Sequence, residues 1–431
     1  MNWKEEYQSK LLTLAEAAGL VQSGDTIQIG VAASEPVGLL EELANQADRL
    51  FDVTLWTCLP MRAYDIFVKP EMEGHFFNEN WFYGAPDRAV HLEGRVSYTP
   101  NNLHRAGRDK LVGNKGKLDM FMGTCTPPNA DGMVSLSMGV VVEREMIDAA
   151  RTVILEVNRN LPWTDGDTVI PISMVDHFVE NDSLLVQVPQ TEPSETEEQI
   201  GRHVAQYIED GCTVQLGIGG MPTALADFIS DRRHLGIHSE LLVDGVYKLY
   251  ESGAVDNSRK TLHPGKFVAT ALTASTTEEI EFIHENPVYE VYDVEYTNDI
   301  QVIASHDNMV AINNAMSVDL TGQIAAESIG RDLWSGPGGQ LEFVIGAMLS
   351  KGGRSVTVLP STARNGEVSR ITLHHEPGTI VTVPRQFADY VVTEHGIARL
   401  FGKSDRERAD ELISIAHPDH RAELRRQVAK G

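Results

Sequence analysis

Residues Cys212–Gly245 read CTVQLGIGGMPTALADFISDRRHLGIHSELLVDG. The run Thr213–Leu216 has the apolar, β-branched character of a buried strand. A glycine-rich turn, GIGGMP at Gly217–Pro222, follows it, and the spacing beyond predicts an amphipathic helix from Thr223. Pro222 falls at the start of that helix, where a missing N–H costs nothing. A second short strand is predicted to carry Glu240. Strand, glycine turn and helix N-terminus together present free backbone amides and a dipole that favour an anion. A carboxylate on the following strand would sit above the same strand ends. The residues alone leave Glu240 open between a reactive group facing that anion site and a structural carboxylate bonded to His238 or to a loop.

The turn has a rival interpretation. A GxGxxG turn with an acid roughly twenty positions later is the fingerprint of dinucleotide-binding folds. Gly217, Gly219 and Glu240 fit it. Pro222 replaces the third glycine, and Gly220 directly follows Gly219, so the close helix–strand packing of that fingerprint is not supplied. An oxidoreductase binding NAD stays open at this level, as does a non-catalytic nucleotide-binding protein.

Upstream, SGDTIQIGVAASEPVGLLEELANQADRLFDVTLWT repeats the pattern. Gly24, Thr26, Ile27, Gln28, Ile29 and Gly30 match Gly211, Thr213, Val214, Gln215, Leu216 and Gly217. Pro36 matches Pro222 with a slip of one residue. A period near half the chain is too long for a solenoid and points to two related halves. Within each half, β-like runs (Val153–Val157, Thr168–Ile172, Leu184–Val188; Ser355–Leu359, Thr379–Val383, Tyr390–Thr393) alternate with helical stretches. That alternation predicts an α/β fold with mainly parallel sheets and flanking helices. The acidic, proline-bearing PQTEPSETEE at Pro189–Glu198 reads as the join, giving domains at 1–190 and 195–431. A helix is predicted over 4–18, and two charged helices broken at Pro418 end the chain.

At 431 residues the chain is long enough for two or three cores, and its charge of −26 disfavours nucleic acid and anionic membranes as partners. No apolar run reaches the ~18 residues of a membrane span, and the N-terminus lacks a signal core. Three scattered cysteines, Cys58, Cys125 and Cys212, form neither a disulfide framework nor a metal motif, and suit a cytoplasmic location. The histidines lack metal-ligand spacing, so no metal is expected. Trp56, Trp81 and Trp163 read as packing residues.

A second glycine string, SGPGGQLEF at Ser335–Phe343, again places a flexible turn at a helix start. Together with AINNAMSVDLTGQIAAESIG (Ala311–Gly330), LPSTARNGEVSRI (Leu359–Ile371), ILEVNRNLPWTDGDTVI (Ile154–Ile170) and the segment Val392–Arg421, it resembles the acetyl-CoA hydrolase/transferase family. Within that family the similarity is closest to the 4-hydroxybutyrate and butyryl-CoA:acetate CoA-transferases. It spans essentially the whole chain and is more specific in the second half.

The resemblance implies two CoA-transferase-type domains and transfer of coenzyme A between short carboxylic acids. Coenzyme A would be a substrate, with no permanently bound cofactor. The family's nucleophilic glutamate falls on Glu240, which implies ping-pong chemistry through a glutamyl-CoA thioester. Its CoA-binding turn falls on Gln215, Leu216, Gly217, Ile218, Gly219 and Gly220, and a second CoA contact on Gly338. Asn314 resembles a position near the reacting carbonyl, and Gly338 and Gly339 would supply oxyanion-stabilising amides. Arg364 stands where relatives carry lysine, keeping a cation with different geometry. Pro337 replaces the commoner threonine and removes a hydroxyl and an amide from that turn. Relatives imply a homodimer or tetramer, and an acetyl-CoA hydrolase is the near alternative. The duplication makes Gly30–Pro36 the counterpart of GIGGMP and predicts that it faces that turn, with Val31 and Met61 lining an apolar acyl pocket.

Overall fold

A computed structural model describes the chain except for residues 1, 188–191, 218–219, 244 and 430–431. The chain forms two α/β units, Met1–Val188 with Thr270–Glu295, and Pro189–Ala269 with Tyr296–Gly431. The single boundary expected between 190 and 195 is therefore crossed again. Hydrogen bonds explain the return of the chain. Val140 N–H donates to Thr270 O at 2.8 Å, Leu272 N–H to Met138 O at 2.7 Å, and Tyr289–Val291 pairs with Asp165–Gly166.

The first unit is built on seven strands: β1 (Thr26–Ile29), β2 (Val53–Thr57), β3 (Phe76–Asn80), β4 (Val96–Tyr98), β5 (Met120–Cys125), β6 (Thr152–Val157) and β7 (His177–Glu180). They are all parallel, in the order β7-β6-β5-β1-β2-β3-β4. Helix α1 (Val37–Asn45) buries Leu39, Leu40 and Leu43 against Ile27, Ile29, Leu55 and Met122. Each such fully buried leucine contributes about 2 kcal/mol relative to exposure.

The second unit holds β8 (Thr213–Leu216), β9 (Gly236–Ile237), β10 (Met309–Asn314), β11 (Arg354–Val358), β12 (Tyr390–Thr393) and β13 (Gly396–Arg399). Their order is β9-β8-β10-β11-β12-β13, with only β13 antiparallel. Helices α2 (Glu195–Val204), α3 (Gly220–Ile229), α4 (Ile300–Ala304), α5 (Gln340–Leu349), α6 (Asp405–Ile415) and α7 (Pro418–Val428) flank it. Val344 of α5 shares a core with Val391, Ala398, Leu412 and Ile413.

The duplication is visible in register. Ile27 lies between Leu55 and Met120, as Val214 lies between Ile237 and Val310. In both sheets the strand order reverses beside the repeated strand. Ligands of open α/β sheets bind at such switch points, beyond the strand carboxyl ends. Local expectations differ in three places. The helix predicted over 4–18 is broken into Trp3–Lys10 and Leu14–Gly19 by Thr13, which caps the second piece. Among the described residues of Leu184–Val188 no strand forms, and His177–Glu180 takes the edge position instead. The segment Thr379–Val383 is irregular except for one bridge from Val383 to Ile324. Among the described residues no helix is long and apolar enough to cross a membrane.

Candidate active site

Glu240 lies three residues beyond β9, on a segment tied down residue by residue. Ile237 N–H donates to Asn257 Oδ1 at 2.8 Å, His238 N–H to Val214 O at 3.2 Å, and Ser239 N–H to Val268 O at 3.0 Å. Lys260, almost fully buried, donates from Nζ to Ile237 O at 2.7 Å. Its stem passes so close to Gly236 that a Cβ there would meet Lys260 Cγ at 2.2 Å. Ser239 Oγ bridges back to β8, donating to Leu216 O at 3.3 Å and accepting from Leu216 N–H at 3.4 Å. The nucleophile candidate and the glycine turn are thus joined through one hydroxyl.

The partly buried Glu240 carboxylate is met by two donors. Asn298 Nδ2 donates to Oε2 at 2.6 Å, and the Gly339 N–H also donates to the carboxylate. Gly339 caps the N-terminus of α5, whose dipole favours negative charge. A Cβ at Gly339 would lie 2.1 Å from Asn298 Nδ2 and 2.3 Å from Glu240 Oε2, so a side chain here would push one or both out of this arrangement. Gly338 takes φ +54°, a conformation that favours glycine and turns the next amide inward. Burial pushes the Glu240 acid up to about 7; the Asn298 amide opposes this, the nearby Glu342 charge adds to it, and the Gly339 N–H opposes it.

The predicted site residues divide into several groups. Glu240, Gly338 and Gly339 come together. Gln340 extends the cluster, its Nε2 donating to Asn314 O at 3.3 Å, so that Asn314, exposed at the end of β10, adjoins the same turn. Gly217 closes the circuit: a Cβ there would come within 3.7 Å of Asn314 Nδ2. Gln215 turns its side chain inward. Its Oε1 accepts from Ile312 N–H and Asn313 Nδ2, both at 3.1 Å, locking β8 to β10. Leu216 is buried beside it. Gly220 owes its size to helix packing, since a Cβ would meet Glu197 Oε1 at 2.5 Å. Glu197 closes the capping box of α2. Ile218 and Gly219 lie outside the described residues. Arg364 is exposed at φ +51° in the turn between Thr362–Ala363 and Val368–Ser369, just beyond β11.

Val31 and Met61 belong to the first unit, beyond the carboxyl ends of β1 and β2. Val31 N–H donates to Glu143 Oε1 at 2.8 Å, and Met61 N–H reaches Glu35 Oε1 at 3.2 Å. Among the described residues no group of three or more His, Cys, Asp or Glu is placed to hold a metal. The structural alternative for Glu240 named His238 or a loop as partner; His238 Nε2 lies 2.8 Å from Thr297 O instead, while Asn298 and the Gly339 turn supply the bonds a loop would. Asn298 was not legible in the sequence. It sits 58 positions from Glu240 in a segment without glycine or motif spacing, and only the fold unites them.

Comparison with known proteins identifies the family of the chain. The acetyl-CoA hydrolase/transferase N-terminal domain model matches residues 1–189 and the C-terminal domain model residues 276–428. The chain is 38% identical to the 4-hydroxybutyrate coenzyme A transferase of Clostridium kluyveri over 100% of both chains. Among solved structures it resembles RipA from Yersinia pestis, with TM-score 0.92 and 35% identity over 100% of this chain and 99% of that one. It also resembles the 4-hydroxybutyrate CoA-transferase of Porphyromonas gingivalis, with TM-score 0.83 and 32% identity over 100% of both. Full-length identity and a shared two-unit fold lead to one conclusion: the chain belongs to the acetyl-CoA hydrolase/transferase family.

Proposed function

We propose that this enzyme, an acyl-CoA:carboxylate CoA-transferase, carries coenzyme A through a covalent thioester on Glu240. The Glu240 carboxylate attacks the acyl carbonyl of the donor thioester and expels CoA thiolate, leaving an acyl-glutamyl anhydride. The thiolate then attacks the glutamyl carbonyl and releases the donor acid as its carboxylate. The acceptor carboxylate attacks the resulting glutamyl-CoA, and the expelled thiolate takes the acceptor acyl group. Glu240 returns as a carboxylate, with no net proton uptake and no resident cofactor required.

The observation that carries this assignment is the pair of donors on Glu240, Asn298 Nδ2 and Gly339 N–H. When thiolate or acceptor attacks the glutamyl carbonyl, negative charge grows on the glutamyl oxygen. Two pre-placed donors stabilise it without reorganisation, and losing one such donor costs ~10²–10³ in rate. The amide of Asn314 and the Gly turn serve the donor thioester, with Gly217 and Gly338 allowing close approach. Short acids such as 4-hydroxybutyrate and butyrate are the proposed partners, with acetyl-CoA as donor. Val31 and Met61 are proposed to contact the acyl chain, and Val31→Trp is expected to alter the preference among acids.

The test is exchange of coenzyme A between acetyl-CoA and labelled acetate. Glu240→Ala is expected to abolish exchange. Undiminished exchange in that variant would remove Glu240 from the mechanism, and thiol release that ignores the acceptor would point to hydrolysis instead.

A further inference from the structure

Beneath Glu240 lies a buried pair of imidazoles that the transfer chemistry does not use. His238 and His306 are fully buried, with ring centroids 4.5 Å apart at 45°. Phe343 of α5 packs against His238 with centroids 6.2 Å apart. The charged or titratable groups facing the pair are Lys260, whose Nζ is held by the carbonyls of Ile237 and Lys266, and His263, which bonds the Tyr296 hydroxyl at 2.6 Å. Glu342 is the charge facing Glu240 itself. Burial and the neighbouring cation keep both imidazoles neutral.

A neutral imidazole donates from one nitrogen only, and its bond identifies which. His238 Nε2 faces the Thr297 carbonyl at 2.8 Å, which can only accept, so the proton sits on Nε2. Nδ1 has no hydrogen-bond partner among the described residues. Thr297 immediately precedes Asn298, and His238 stands two residues before Glu240. The same short strand end therefore supplies the carboxylate and a tether to the peptide that aims the amide at it. Asn298 is itself fully buried, with Nδ2 2.6 Å from Glu240 Oε2. We propose that His238 is a positioning residue, holding the Thr297–Asn298 peptide through its Nε2–H so that Asn298 stays on the Glu240 carboxylate. The proposal rests on the role given to Glu240 above.

Two polar substitutions of similar character separate this role from general support of the fold. In His238→Gln the side-chain amide reaches the place of Nε2; in His238→Asn it reaches only that of Nδ1. His238→Gln is expected to keep most of kcat. His238→Asn is expected to lower kcat roughly ten- to a hundredfold, the range seen when an orienting outer contact is lost, with KM for acyl-CoA little changed. The acid limb of kcat/KM should move to higher pH in His238→Asn, because a loosened Asn298 no longer favours the carboxylate. In an Asn298→Ala background the His238→Asn change should add nothing further. Equal behaviour of the two His238 variants, or additive losses in the double variant, would overturn the proposal. Glu240→Ala run beside them keeps the outcomes distinct: activity there would remove the nucleophile, whereas an inactive Glu240→Ala with indifferent His238 variants removes only the positioning role.

Discussion

In the proposed mechanism Glu240 attacks only as a carboxylate, yet its surroundings pull its acid up to about 7. Transfer should therefore rise with pH, with an acid limb of kcat/KM centred near that value. Asn298→Ala removes a donor that favours the charged form, so the midpoint should move to higher pH while kcat falls. A stopped-flow pH series on both proteins checks direction and size; a limb centred in the ordinary carboxylate range would contradict the burial described. Gly339 is constrained from two sides, with Asn298 and Glu240 atoms within 2.3 Å of any added Cβ. Gly339→Ala is expected to lose on the order of 10²–10³ in kcat while the circular dichroism spectrum is kept. The sequence pointed to Gly338 and Gly339 because paired glycines before a helix announce close backbone approach. For Glu240 the residues alone left a reactive and a structural reading open, and only the family resemblance favoured the first, since one carboxylate after a short strand has no pattern of its own.

The element that matters is the short β9 and the segment beyond it. Only Gly236 and Ile237 form the strand, too few residues for a periodic signal. Its rigidity comes instead from side chains brought from elsewhere: Lys260, Asn257 and the Ser239 bridge to β8. Gly236→Ala forces the Lys260 stem aside, and overpacking of this kind costs ~1–3 kcal/mol. Urea unfolding should record that loss, and transfer should fall with it because Ile237 O loses its anchor. A variant as stable and active as the parent would show that Lys260 does not hold this strand. Elsewhere the legible elements were those with clearer patterns, such as β6, β11, β12 and the two C-terminal helices. The edge strand β7 was misplaced because His177–Glu180 alternates too briefly to stand out from the loop after it.

Across the whole molecule, the repeat of Gly-x-Thr-x-Gln-x-Gly predicted two related sheets, and the registers around Ile27 and Val214 reproduce it. The return of residues 270–295 to the first unit was not legible, because backbone bonds such as Val140 to Thr270 carry no side-chain pattern. Buried carboxyls add a property of the entire fold. Chiefly through burial, Glu35 is pushed up to about 8, and Glu143 and Glu156 to about 7, from an ordinary 4.5. Between those values the folded chain binds more protons than the unfolded one, so stability falls as pH rises through the window. Above about pH 6.5, where the buried neutral imidazoles of His238 and His306 no longer contribute the opposite slope, calorimetry up to about pH 9 should show Tm decreasing, and Glu35→Gln should flatten the upper part of that decline. A Tm that climbs with pH would contradict the neutral state of these groups.

Chemical trapping addresses the covalent step itself. Incubation with acetyl-CoA followed by borohydride reduces a glutamyl thioester to an alcohol, which peptide mass spectrometry locates. The expected product is a single modified residue, Glu240, formed only when acyl-CoA is present. An unmodified Glu240, or a label on any other carboxylate, would contradict the thioester on which the proposed transfer depends.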